Sequence, residues 1–249
     1  MKRKQNLPIE QAETVRLYFA DVTPLRDPDL YARAMSLASE ERKAKTKRFR
    51  MRPDRIRSLA AELLLRKALS DAGHGTEALR YEYGPQGKPF LAGAPDFQFS
   101  ISHSGDYVLV AAAGRNVGCD IEKIENADLK IAERFFSEEE KAMLRAIPEN
   151  ARNDAFYRLW TMKESYIKAT GDGLSLPLSA FTVRCSEDGR AEVIRDGKTE
   201  AYGVSSWDGI LNYAAAVAVE GGSPVIKAEK ADISRLLIDR EAYDDHRTE

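Results

Sequence analysis

Val117-Gly118-Cys119-Asp120-Ile121-Glu122-Lys123 alternates with the period of a strand: Val117, Cys119 and Ile121 share one face, Gly118, Asp120 and Glu122 the other. Two carboxylates therefore stand on one face with their Cα atoms roughly 6.5 Å apart. A strand facing a core buries two acids only when something positive lies between them. A second stretch, Trp160-Thr161-Met162-Lys163-Glu164-Ser165-Tyr166-Ile167-Lys168, has helical spacing and places Glu164 and Lys168 at i and i+4 on one face. Over 156–169, Phe156, Leu159 or Trp160, and Ile167 form an apolar stripe, with Tyr157, Thr161, Glu164 and Lys168 on an adjacent polar one. Asp120, Glu122 and Glu164 are thus three hard-oxygen candidates for one Mg²⁺ or Mn²⁺, a donor set unlike the thiol and imidazole sets of zinc. Taken singly, each motif has a plainer reading. The acids suit an edge strand facing water, and Glu164 with Lys168 suits an exposed ion pair of about 0.3–0.5 kcal/mol.

The flanking sequence predicts an α+β protein. Strands are expected at 15–20, 81–83, 97–101, 107–113, 181–184, 191–195, 202–206 and 213–219. Helices are expected at 27–37, from Ser39-Glu40-Glu41 into a basic block, at 57–72 with Leu59, Leu63, Leu64 and Leu69 buried and Gly73 as the stop, and over most of 128–147. A long helix capped by Asn153 or Asp154 runs to Gly171. His103-Ser104-Gly105-Asp106 reads as the loop of a hairpin. Each half holds strands, a long helix and a hairpin, which suggests two lobes: 1–117 and 118–225, followed by a charged tail, 226–249, with one short helix at 233–239.

With 249 residues the chain buries a substantial core, and 43% hydrophobic against 31% charged residues is an ordinary globular balance. A net charge of −2 gives no global attraction to nucleic acid or membrane. Two cysteines, Cys119 and Cys185, make no disulfide framework. Met1-Lys2-Arg3-Lys4 is basic, but no apolar segment follows it as in a signal peptide, and no apolar run approaches the ~18 residues of a membrane span. The cytoplasm is the expected compartment.

Locally the charge is uneven. Between Arg42 and Arg57 stand Arg42, Lys43, Lys45, Lys47, Arg48, Arg50, Arg52, Arg55 and Arg57, with Asp54 the only acid. Like charges this dense point to an anionic partner or to a solvated helix face. Nucleic acid is disfavoured, because the rest of the chain is acidic and no reading motif with interleaved aromatics is present. Gly87-Lys88-Pro89 and Ser102-His103-Ser104 add a lysine and a histidine on neighbouring segments, a pairing suited to phosphate. No GxSxG elbow supports a catalytic serine, and no GxxxxGK[ST] supports a nucleotide phosphotransferase of the P-loop type.

In this order the segments resemble the 4′-phosphopantetheinyl transferases of the Sfp type over residues 39–184. The resemblance rests on Phe99-Ser100-Ile101-Ser102-His103-Ser104, Gly118-Cys119-Asp120-Ile121-Glu122-Lys123, Arg134-Phe135-Phe136-Ser137, Trp160 to Lys168, and Gly173-Leu174-Ser175-Leu176-Pro177-Leu178. Cys119, where the family carries an aliphatic residue, lies on the face opposite the acids. The resemblance implies two pseudo-twofold related α+β lobes with coenzyme A in the cleft between them. It implies Mg²⁺ on Asp120, Glu122 and Glu164. It also implies phosphate contacts from Arg42, Lys45, Arg57, Ser58, Lys88, Ser102 and His103, with Lys163 and Lys168 in the same binding set and His103 near the 3′-phosphate. Glu164 or Glu122 is then the base that accepts a serine proton from an apo acyl or peptidyl carrier protein, and Lys168 stabilises the leaving diphosphate. Two lobes in one chain make a complete cleft, so a monomer is expected.

Overall fold

The computed structural model describes residues 13–75, 79–186 and 189–244. In chain order the strands are β1 (Glu13–Asp21), β2 (Tyr81–Tyr83), β3 (Pro89–Leu91), β4 (Gln98–Ser104), β5 (Tyr107–Ala113), β6 (Val117–Lys123), β7 (Thr182–Cys185), β8 (Arg190–Arg195), β9 (Lys198–Ser206), β10 (Tyr213–Glu220) and β11 (Pro224–Lys230). The helices are α1 (Pro28–Leu37), α2 (Glu40–Arg48), α3 (Arg52–Asp71), α4 (Lys130–Phe135), α5 (Glu138–Ala146), α6 (Glu149–Thr170) and α7 (Ile233–Asp244).

Alternation within β5 shows how the layers stack. Val108, Val110 and Ala112 face a core made with α1, α3 and α7, which also takes Tyr18 and Ala20 of β1. Leu109 and Ala111, with Val15 and Leu17 of β1, face the opposite way and meet Val117, Cys119, Ile121, Ala215, Val217 and Val219 of a second sheet. That sheet has the order β6-β10-β9-β8-β7 and turns its other face, including Val204, Ala216 and Ala218, to α4 and α6. Four layers result, helix, sheet, sheet and helix, and the chain is an α+β protein of two lobes. The face of β6 that carries Cys119 is buried between the sheets, as its pattern predicts.

Local chemistry sets most boundaries. Asp27 caps α1 by accepting from Asp29 N and Leu30 N, and Ser39 caps α2 by accepting from Arg42 N. α3 begins at Arg52, earlier than the expected 57, because Pro53 occupies its first turn. α6 begins at Glu149 rather than at Asn153 or Asp154; the Asn153 carboxamide oxygen instead accepts from Ala127 N. The hairpin loop is shorter than expected. β4 runs on through His103 and Ser104, paired with Val108 and Tyr107, and Gly105-Asp106 alone makes the turn.

The expected tail is the largest difference. Within 226–249, the described residues return to the first lobe. β11 pairs in parallel with β1, from Glu13 opposite Pro224 to Phe19 opposite Lys230, and Lys67 of α3 bridges to Glu229 at 2.8 Å. Ile233 and Leu237 of α7 enter the core beside α3. Charged side chains on β11 hid an edge strand held by backbone hydrogen bonds. No described helix is long and apolar enough to cross a membrane.

Candidate active site

The site begins at a seam. β4 is the edge of the first sheet and β6 the edge of the second, and they lie side by side without a shared ladder. Alternate serines of β4 join them instead. Ser100 Oγ accepts from Cys119 N at 3.1 Å and Ser104 Oγ accepts from Lys123 N at 3.1 Å. Ser104 Oγ donates to Glu122 Oε2 at 2.8 Å, and Ser102 Oγ donates to Asp120 Oδ1 at 2.7 Å. A normal ladder would leave these acids ordinary strand neighbours. Here they face the opening between the lobes.

α6 lies directly on this strand. A Cβ on Gly118 would sit 2.0 Å from the Ser165 carbonyl oxygen and 2.4 Å from Ala169 N, so only glycine allows the approach. One helical turn then brings Lys168 over Asp120: Lys168 Nζ donates to Asp120 Oδ1 at 2.6 Å and to Ser102 Oγ at 3.0 Å. Burial alone would lower the Lys168 pKa, but the negative charge of Asp120, with Cys119 and Glu164, leaves it above the ordinary lysine value. Glu122 and Glu164 are pushed up, chiefly by burial and then by the charge of Asp120.

Among the described residues, no three metal-ligating side chains converge closely enough to hold an ion. Asp120 Oδ1 is taken by Lys168 and Ser102, and Glu122 Oε2 by Ser104. The donor set nevertheless fits a hard divalent cation. Asp120 Oδ2 is buried with no hydrogen-bond partner, and the two glutamates carry negative charge that a single lysine does not offset.

A cleft of ≈1030 Å³ opens above these groups, and both lobes line it. Of the residues singled out from sequence, Arg42, Lys45, Ser58, Lys88, Ser102, His103, Asp120, Glu122, Glu164 and Lys168 reach it. The Arg42 guanidinium is held by Glu62 and the Tyr81 hydroxyl, while burial and then Arg42 lower the pKa of Lys45. His103 is also lowered, first by burial and next by Arg57. Arg57 itself stands behind the wall, donating to Gly105 O at 2.9 Å and to Asp54, with its Nε buried and unpartnered. The basic run divides further: Arg52 and Arg55 donate to the carbonyls of Arg26 and Phe49.

Lys163 is not part of this cleft. Its side chain is fully buried on another face of α6, where Nζ contacts both Glu140 carboxylate oxygens at 2.6 and 2.7 Å and the Phe181 carbonyl at 2.7 Å. An ion held this way has no donor left for a phosphate. Other lining residues had no coenzyme-binding role in the sequence reading, although Phe135, Trp160, Leu176, Pro177 and Leu178 lie in the segments that carry the family resemblance. Tyr81, Tyr83 and Gln86 form a flap with β2 and β3, and Phe135, Trp160, Leu176, Pro177 and Leu178 form an apolar stretch. The serine at every second position of β4 was the readable signal for the seam.

Comparison with known proteins identifies the family. Residues 116–218 match the family model described as the 4′-phosphopantetheinyl transferase superfamily, and residues 25–115 match the one described as 4′-phosphopantetheinyl transferase, N-terminal. The chain is 38% identical over 188 residues to a 4′-phosphopantetheinyl transferase of Bacillus subtilis, spanning 74% of this chain and 83% of that protein. It is 41% identical over 172 residues to the 4′-phosphopantetheinyl transferase Sfp of Bacillus subtilis strain 168, spanning 68% and 77%. Among solved structures it is similar to a holo-(acyl-carrier-protein) synthase from Bacillus anthracis str. Ames in complex with CoA (3′,5′-ADP), at 23% identity and a TM-score of 0.38, covering 43% of this chain and 96% of that one. The chain belongs to the 4′-phosphopantetheinyl transferase superfamily. Its activity is the transfer of the phosphopantetheine arm of coenzyme A to an apo-carrier protein.

Proposed function

We propose that this enzyme is of the Sfp type and works on a divalent cation, Mg²⁺ before Mn²⁺, held by Asp120, Glu122 and Glu164. The observation that carries the reading is the Lys168–Asp120 pair beside the buried, unpartnered Asp120 Oδ2, in a cleft whose rim carries Arg42, Lys45 and His103. When bound, the cation neutralises negative charge on the pyrophosphate of coenzyme A.

The chain's own residues then divide the work. Arg42, Lys45, Ser58, Ser102 and His103 bind phosphate oxygens, with His103 directed to the 3′-phosphate. A serine hydroxyl of the carrier protein attacks the β-phosphorus. The new P–O bond forms as the bond to the bridging oxygen breaks, and 3′,5′-ADP leaves. Glu164 accepts the serine proton. Its raised pKa makes it a better base than a free carboxylate, and no described residue hydrogen-bonds to it, whereas Glu122 is engaged by Ser104. Lys168 keeps its proton at neutral pH and faces the charge that grows on the leaving group. The carrier protein meets the segment 124–136, where Phe135 and Arg134 border the cleft. One chain supplies both walls, which supports a monomer.

Intact-mass measurement of apo-carrier proteins, after incubation with this protein, coenzyme A and Mg²⁺, tests the reading. A phosphopantetheine adduct on several carrier types, abolished by chelation and by Asp120→Ala, is the expected result. Full transfer by Asp120→Ala removes the cation assignment.

A further inference from the structure

Lys88 enters the cleft from the turn between β2 and β3, and its ammonium is already engaged. Nζ donates to the Ala169 carbonyl at 2.7 Å and approaches the Val117 carbonyl at 3.4 Å, and these carbonyls belong to α6 and to β6, the edge strand of the second sheet. Ala169 O is one of the last carbonyls of α6, which lack intrahelical donors and carry the negative end of the helix dipole. The lysine stem has its own seat. Gly171 ends α6 with φ +78°, and a Cβ there would lie 3.1 Å from Lys88 Cδ. The turn that presents Lys88 is closed by Gly84 N donating to Lys88 O and Gly87 N donating to Gly84 O. Burial pushes the Lys88 pKa down to about 8, with only the more distant Glu220 acting against it.

We propose that Lys88 is a positioning residue that straps the β2–β3 flap of the first lobe to the C-terminal end of α6, rather than a phosphate ligand. It fixes the helix end that follows Lys168 and holds Gln86, Gly87 and Pro89 against the coenzyme cleft. The strap exists in the free protein and does not depend on the cation or proton assignments above.

Amide hydrogen exchange in the protein without coenzyme A tests this directly. For Lys88→Met, which keeps the stem and loses the donor, exchange over 84–91 and 170–173 rises tenfold or more. Lys88→Arg, which donates to the same carbonyls, restores protection. In turnover, the Met variant raises KM by the same factor for coenzyme A and for its 3′-dephospho form. Unchanged exchange, with coenzyme A affinity lost, makes Lys88 a ligand and overturns the strap. A wild-type experiment removes any dependence on the variant folding. Reductive methylation of Lys88 is slow with and without coenzyme A if it is a strap. Fast modification in the free protein, blocked only by coenzyme A, refutes the proposal.

Discussion

α6 carries two lysines five positions apart, each against a carboxylate, and they do opposite things. Lys163 and Glu140 are 0% and 1% exposed, and every polar atom of the pair has a partner: Glu140 also accepts from Ser137 N and Val183 N, and Lys163 lies over the Phe181 ring at 4.2 Å. Lys168 and Asp120 form an equally short contact, but the lysine is 31% exposed and Asp120 Oδ2 has no partner. The first cluster is closed and joins α6 to α5 and β7. The second retains unused capacity and opens on a cleft. A buried ion pair therefore says little about function by itself; an unsatisfied atom beside it says more.

Separating the two clusters by mutation sharpens the contrast. Lys163→Met strands Glu140 as a buried unpaired charge and is expected to cost about 3–5 kcal/mol in urea unfolding. The folded fraction keeps its turnover, so a turnover loss at full folding breaks the distinction. Lys168→Met is expected to lower kcat by about 10²–10³, with KM for coenzyme A within about threefold. Affinity loss with intact turnover instead makes Lys168 a binding residue. His103→Ala is expected to reduce the preference for coenzyme A over its 3′-dephospho form by about tenfold, the worth of one charge-assisted hydrogen bond. In the wild type this preference strengthens as pH falls, because burial and Arg57 hold the His103 pKa down and the protonated ring binds phosphate better.

The smallest expected effect concerns the unsatisfied charge. The pKa values of Glu122 and Glu164 are raised in the fold, so their protonated forms favour the native state. This contribution is complete below the ordinary carboxylate value and is lost as pH rises through the raised values. Mg²⁺ is therefore expected to raise Tm by a few degrees more at pH 8 than at pH 5, read by thermal unfolding without substrate. Equal shifts at both pH values break the link between the carboxylate cluster and the cation.

Much of this was legible in the sequence because periodicity speaks through local geometry. The period-2 acids at Asp120 and Glu122, the i,i+4 pair on α6 and the opening of α2 at Ser39 all depend on neighbours a few residues away. What failed depends on distant partners. Lys163 stands beside Glu164 in sequence, and only Glu140 on another helix explains why it turns inward. His103 looked like a loop residue because Gly105-Asp106 is a turn signal, yet pairing with β5 carries β4 up to that turn. β11 exposes Lys227, Ala228, Glu229 and Lys230, so its side chains carry almost no record of the strand their backbone makes.

That parallel pairing of β1 with β11 has a consequence for how the protein is made. Among the described strands β1 emerges from the ribosome first and β11 last, so the outer edge of β1 stays uncovered until β11 has been made. The first lobe cannot complete its sheet while the second is still being synthesised. The lobe that is encoded first is therefore finished last, by a strand at the edge of its sheet opposite β4 and the coenzyme cleft.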